Sequence, residues 1–105
     1  MKIWVDDVRE APFGYKWCKT VIKAEELIEK CEVYSEFIPE LWEIEVIDID
    51  HDAGEYAVYG GDYIKLLDWL EETGRNYPIR IHSQNPVGKE NMRRIIERNG
   101  WKEVM

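Results

Sequence analysis

The residues of this chain able to do chemistry fall in three short stretches: Asp6-Asp7, Asp48-Ile49-Asp50-His51-Asp52 and His82-Ser83-Gln84-Asn85-Pro86. Crowded carboxylates raise each other's pKa unless a cation or hydrogen bonds intervene. Asp6, Asp7, Asp50 and Asp52 therefore form a candidate nest for a divalent cation, Mg²⁺ or Mn²⁺, a hard ion that takes a few carboxylates and keeps several waters. Imidazole titrates near neutrality, so His51 and His82 are candidates for proton transfer or phosphate contact. The third stretch reads as a strand end entering a helix start, where unpaired N–H groups attract anions. Ser83 and Asn85 would supplement those amides, Gly88 would let a ligand approach the backbone, and Lys89 would add charge. A phosphate seat facing a carboxylate nest suits phosphoryl or phosphodiester chemistry.

Each stretch also has a plainer account. Asp7 can cap its own loop and pair with Arg9, and His51 can be a loop histidine bonded to an adjacent carboxylate. Asn85 can simply cap a helix, which explains Asn85-Pro86 but leaves His82-Ser83 unexplained. A Ser-His-Asp hydrolase is disfavoured, because Ser83 lies outside a Gly-x-Ser-x-Gly elbow. The chain has no phosphate-binding Gly-x-x-x-x-Gly-Lys loop, dinucleotide fingerprint or paired-Cys zinc signature.

The elements that must position these groups follow from periodicity. Residues 2–5 form a short apolar strand ending in Asp6-Asp7, Tyr15 to Lys19 alternates like an edge strand, and residues 9–14 form the loop between them. Thr20 caps a helix with Val21, Ala24, Leu27, Ile28 and Cys31 on one face, and Pro39 interrupts any helix continuing from Cys31. Residues 32–43 have no definite assignment. Glu45 to Ile49 is a central strand, Asp52 to Gly61 a loop, and Asp62 to Thr73 an amphipathic helix stopped by Gly74. Ile79 to His82 is a strand, Asn85-Pro86 opens a helix ended by Gly100, and Trp101 to Val104 is a last short strand. Alternation of this kind implies a parallel sheet with crossover helices. The expected architecture is a small three-layer α/β domain with five strands in the order 2-1-3-4-5. Ligands bind such sheets at the carboxyl ends of the strands, where all three stretches fall.

Length and composition bound the function. The 105 residues, 45% hydrophobic with five Trp, make one globular domain, residues 1–105. No run approaches the roughly 18 apolar residues of a membrane span. Met1-Lys2 leads straight into the first strand without a secretory pattern, and Cys18 and Cys31 lack metal spacing, so a cytoplasmic protein with free thiols is expected. Residues 1–74 carry 7 Lys/Arg against 19 Asp/Glu, a balance of −12, whereas residues 75–105 carry 7 against 3, a balance of +4. Overall charge of −8 repels polyanions, which argues against duplex DNA as a partner. The basic residues Arg75, Arg80, Lys89, Arg93, Arg94, Arg98 and Lys102 either meet one phosphate or short nucleic-acid end, or form an ordinary solvated face.

Three segments together resemble a known family. Val5-Asp6-Asp7-Val8-Arg9-Glu10-Ala11-Pro12, Ile49-Asp50-His51-Asp52-Ala53-Gly54 and Arg80-Ile81-His82-Ser83-Gln84-Asn85-Pro86-Val87-Gly88, with Asn91-Met92, are similar to the cyclic-phosphate-processing receiver-like domains. The resemblance spans nearly the whole chain and is most specific in the His-Ser-Gln-Asn-Pro-x-Gly segment. It implies a receiver or flavodoxin-like fold of bacterial or phage origin, associated with RNA repair and nucleotide handling. On that plan Asp6-Asp7 is the metal-side pair, Asp50 holds the phospho-acceptor position and a catalytic role, and Ser83 holds the switch hydroxyl position. Arg9 and Asn91 join the substrate-binding set. Two departures stand out: the first crossover helix is shortened or lost, and no Lys-Pro follows the last strand.

The function expected is binding or processing of a cyclic phosphate, on a 2′,3′-cyclic RNA end or a cyclic nucleotide, as a metal-dependent phosphodiesterase or phosphohydrolase. Asp50, His51 and His82 would be catalytic. The alternatives are a degenerate receiver that accepts a phosphoryl group at Asp50, and a non-catalytic nucleotide sponge.

Overall fold

The computed structural model covers residues 1–105. Strand β1 (Lys2–Val5) is followed by β2 (Tyr15–Cys18), helix α1 (Val21–Tyr34), the short α2 (Pro39–Trp42) and β3 (Val46–Ile49). A 3₁₀ turn at Gly54–Val58, helix α3 (Ile64–Glu72), β4 (Ile79–Ile81) and α4 (Pro86–Asn99) complete the chain. The four strands are all parallel in the order β2-β1-β3-β4. Beyond β4 the expected fifth strand is reduced to a single parallel bridge between Ile79 and Glu103. The correction has a local cause: Gly100 turns the chain in the left-handed region at φ 66° shortly before this bridge.

Strand alternation sorts the sheet into two unlike faces. Ile3, Val5, Ile47, Ile49 and Ile79 point into one core with Ala24, Ile28, Leu66, Leu67, Leu70, Met92, Ile95 and Ile96 of the helices. The residues between them (Trp4, Val46, Asp48 and Arg80) point the opposite way, and the buried Trp4 and Val46 lie outside that core. The domain therefore has two layers, one of sheet and one of helices, and the three-layer expectation is corrected. The reason is visible in residues 6–14, which join β1 to β2 through bends and turns. Their path is fixed by hydrogen bonds: the Asp6 carboxylate accepts from the Val8 and Arg9 amides at 2.9 Å each, and the Trp4 indole donates to the Arg9 carbonyl at 2.8 Å.

The helix ends follow their residues. Thr20 caps α1 by accepting from the Lys23 amide, and Asn85 caps α4 by accepting from Gly88 with Pro86 in the first turn. The unassigned residues 32–43 continue α1 to Tyr34 and then form α2, opened by Pro39. The α3 helix begins two residues later than its periodicity implies, because the Asp62 carboxylate accepts from the Ala53 amide and holds the preceding loop. No helix is long and apolar enough to cross a membrane, and Cys18 and Cys31 are both free and buried.

Candidate active site

At the carboxyl ends of β1 and β3, one oxygen each of Asp6, Asp7 and Asp50 lies within 4.8 Å of the others. Parallel pairing of Val5 with Ile49 puts the following residues side by side, which is how two stretches far apart in sequence become one cluster. Asp6 is fully buried, while Asp7 and Asp50 are partly exposed. Burial raises the Asp7 pKa, and the charges of Asp6 and Asp50 raise it further. A hard divalent cation fits such a set, since it would relieve that repulsion and complete its shell with water. Burial would likewise raise the Asp6 pKa, but amide donation from Arg9 and Val8 and the His82 imidazole bring it below the usual carboxylate range. The capping role that sequence assigns to Asp7 thus belongs to Asp6. Asp7 instead packs on Gly54, where a Cβ would come within 2.5 Å of its Oδ2 and where φ is +56°.

Asp52 lies outside the group formed by Asp6, Asp7 and Asp50. The chain leaves the extended conformation after Ile49, so Asp50 and Asp52 no longer share a face. The Asp52 carboxylate bonds His51 Nδ1 at 2.9 Å and accepts from Asn85 at 3.4 Å. The His51 contact, followed by that of Asn85, holds its pKa below the usual range. The His51 amide donates to Asp50 Oδ1 at 2.8 Å, and its ring rests on α4 at Gly88. A Cβ added to Gly88 would lie 2.6 Å from His51 Cδ2. His51 is thereby the residue that links the acidic cluster to the start of α4.

His82 is bonded through both ring nitrogens. Its Nε2 bonds Asp6 Oδ2 at 2.8 Å and its Nδ1 bonds Asp48 Oδ1 at 2.7 Å, and both carboxylates are fully buried. Both ring nitrogens are thus engaged by buried carboxylates, and through Nε2 the ring holds Asp6. Sequence reasoning assigned no role to Asp48. Its signal was an acidic residue between Ile47 and Ile49 in a buried strand, where an unpaired charge is costly.

The remaining candidates divide. The Arg9 guanidinium donates to the His82 carbonyl at 2.8 Å and clasps the loop onto β4. Ser83 is buried and its Oγ accepts from the Asn85 amide at 3.1 Å, leaving its own hydroxyl proton to donate. Asn85 spends its carbonyl oxygen on the Gly88 amide. Lys89 and Asn91 follow on the first turns of α4, with Asn91 exposed. The basic C-terminal set is largely consumed inside the protein: Arg75 pairs with Glu32, Arg80 with Asp48, Arg93 with Glu103 and Arg98 with Glu71.

No curated protein and no solved structure matches the chain. Residues 1–98, nearly its full length, match the family described as the cyclic-phosphate processing receiver domain. With a parallel receiver-like sheet and an acidic cluster at its carboxyl edge, the chain belongs to the family of cyclic-phosphate processing receiver domains.

Proposed function

We propose that this protein binds a 2′,3′-cyclic phosphate, on a nucleotide or an RNA end, at the carboxyl edge of the sheet and hydrolyses it to a monoester. The observation that carries this reading is the acidic cluster of Asp6, Asp7 and Asp50 beside the His51–Asp52 pair. Asp6, Asp7 and Asp50 would hold Mg²⁺ or Mn²⁺, which when bound supplies Lewis-acid neutralisation of phosphoryl charge. His51 Nε2 makes no hydrogen bond within the protein and is the nitrogen directed to reaction, while Asp52 fixes the ring through Nδ1. In the step proposed, a water proton passes to Nε2 as the water oxygen bonds phosphorus. One ester P–O bond to the sugar breaks, and the proton is returned to the departing sugar oxygen. Asp52 stabilises the imidazolium formed between these transfers. The Ser83 hydroxyl and the first turn of α4 donate to the non-bridging oxygens.

His82 serves as a positioning residue, holding Asp6 from behind through Nε2 while Asp48 holds Nδ1. The test is incubation with 2′,3′-cyclic nucleotides and RNA ends bearing the same group, with and without Mg²⁺ or Mn²⁺, followed by chromatography. A monoester product that requires the metal and His51 supports the proposal. Saturable binding with intact ligand recovered identifies a sponge. The absence of both turnover and binding across the panel overturns the proposal.

A further inference from the structure

On the β2 flank of the acidic cluster lies a cavity of about 550 Å³ lined by Lys16, Trp17, Lys19, Lys23, Leu27 and Tyr56. Its composition is unusual for its surroundings. Residues 1–74 carry a balance of −12, yet three of their seven basic residues line this one cavity. The Lys19 ammonium lies over the Trp17 ring at 4.5 Å from its centroid and over the Tyr56 ring at 5.9 Å. Both aromatic faces are thus turned towards one space, and a cation occupies it.

This cavity is built into the acidic site. The Trp17 indole donates to the Asp6 carbonyl at 2.8 Å, and the Asp6 amide donates to the Cys18 carbonyl at 3.3 Å. The Tyr63 hydroxyl donates to the Lys19 carbonyl at 2.8 Å, and Tyr63 lies close enough to Asp7, Asp6 and Asp50 for their charges to help burial raise its pKa. The 3₁₀ turn spans both places, with Gly54 against Asp7 and Tyr56 in the cavity wall.

We propose that this cavity is a nucleobase subsite, taking the base of a single nucleoside phosphate whose phosphoryl group lies at the acidic edge. The proposal rests on the cyclic-phosphate reading and names what else the ligand carries. A planar base presents a π-face to Trp17 and Tyr56, and such stacking tolerates different bases. On entering, it displaces the Lys19 ammonium from the rings, and Lys19, with Lys16 and Lys23, then faces the anionic part of the ligand. A purely apolar guest leaves the three lysines without purpose, and a long polyanion is opposed by the acidic remainder of the chain.

The test measures binding in Mg²⁺ of adenosine 2′,3′-cyclic phosphate and of methyl riboside 2,3-cyclic phosphate, which lacks the base. The adenosine compound is expected to bind at least tenfold more tightly. Tyr56→Leu should abolish that advantage while changing affinity for the base-free compound less than twofold, and Lys19→Gln should weaken both. Equal affinities of the two ligands for the unaltered protein overturn the base subsite and leave the phosphate reading standing. Failure of both ligands to bind overturns the two readings together. Because Tyr56→Leu risks misfolding, 8-azidoadenosine 2′,3′-cyclic phosphate is also photolysed with the unaltered protein. Label on peptides carrying Trp17 or Tyr56 is expected, and label confined elsewhere overturns the proposal. A tetranucleotide ending in the same cyclic phosphate is expected to bind no more tightly than the mononucleotide, and tighter binding overturns the assignment to a single nucleoside phosphate in favour of an RNA end.

Discussion

The Trp4 indole lies flat on the His82 imidazole, with ring centroids 3.8 Å apart and planes 3° from parallel. The stack covers one face of a ring whose two nitrogens are already committed to buried carboxylates. Each of those bonds needs a proton between its heavy atoms, so Asp6, His82 and Asp48 act as one unit. The unit stands behind the acidic edge and fixes the most buried of its three carboxylates.

His82→Ala should therefore destabilise the domain by about 3–5 kcal/mol, because it removes the partner of Asp6 Oδ2 and of Asp48 Oδ1, leaving one oxygen of each buried carboxylate unpaired. Chemical denaturation decides this. A variant that folds as well as the original and loses only turnover would show that His82 touches substrate after all.

Asp7→Asn should raise the stability of the metal-free protein by roughly 1 kcal/mol, since burial and the charges of Asp6 and Asp50 push the Asp7 pKa up and make its ionised form unfavourable. The sign is that of a raised carboxylate: the cost is present at neutral pH and disappears as pH falls through the folded value. The same substitution should weaken Mg²⁺ affinity, and melting curves recorded across a Mg²⁺ titration show both effects at once. A lower melting temperature without metal would make Asp7 a structural hydrogen-bond hub.

Gly88→Ala separates site geometry from helix stability. In an open helix position the change stabilises by roughly 1 kcal/mol. Here the new Cβ would meet the His51 ring, and crowding of this kind costs about 1–3 kcal/mol unless the ring moves. The expected result is a small change in melting temperature with a tenfold or greater loss of turnover. Unchanged turnover would place the reacting nitrogen elsewhere.

Acid stability should depend on Glu32. Two hydrogen bonds from the Arg75 Nε and one from its Nη2, followed by that of Tyr77, hold the Glu32 carboxyl below its usual 4.5. A lowered carboxylate contributes stability above its unfolded pKa and loses it as pH falls through the folded value. Glu32→Gln should cost about 2 kcal/mol at pH 7, and the gap to the unaltered protein should close below pH 4.5. A gap independent of pH would assign the effect to packing.

Much of the fold was legible because short-range chemistry decided it. Thr20 and Asn85 marked helix starts by their side-chain oxygens, Gly100 marked a stop, and three apolar runs ending in polar residues marked one sheet edge. The second layer of helices was inferred from the general plan of parallel sheets, and no residue in 6–14 required it. The direction of His82 was illegible for a related reason. Its partners Asp6 and Asp48 lie 76 and 34 residues away, and only strand register reveals that they face the same ring. Asp52 stands apart from the three clustered carboxylates because period-two alternation holds only while the chain stays extended, and β3 ends at Ile49.

The central claim, that the acidic cluster and the cyclic phosphate share one site, is tested most directly by ³¹P relaxation of adenosine 2′,3′-cyclic phosphate with Mn²⁺ and the protein. Mn²⁺ held by Asp6, Asp7 and Asp50 should strongly broaden the phosphorus signal at substoichiometric protein, and Asp7→Asn or Asp50→Asn should abolish the broadening. Mn²⁺ binding to the protein with no more broadening than free Mn²⁺ produces would contradict the claim, because the metal and the phosphate would then occupy separate places.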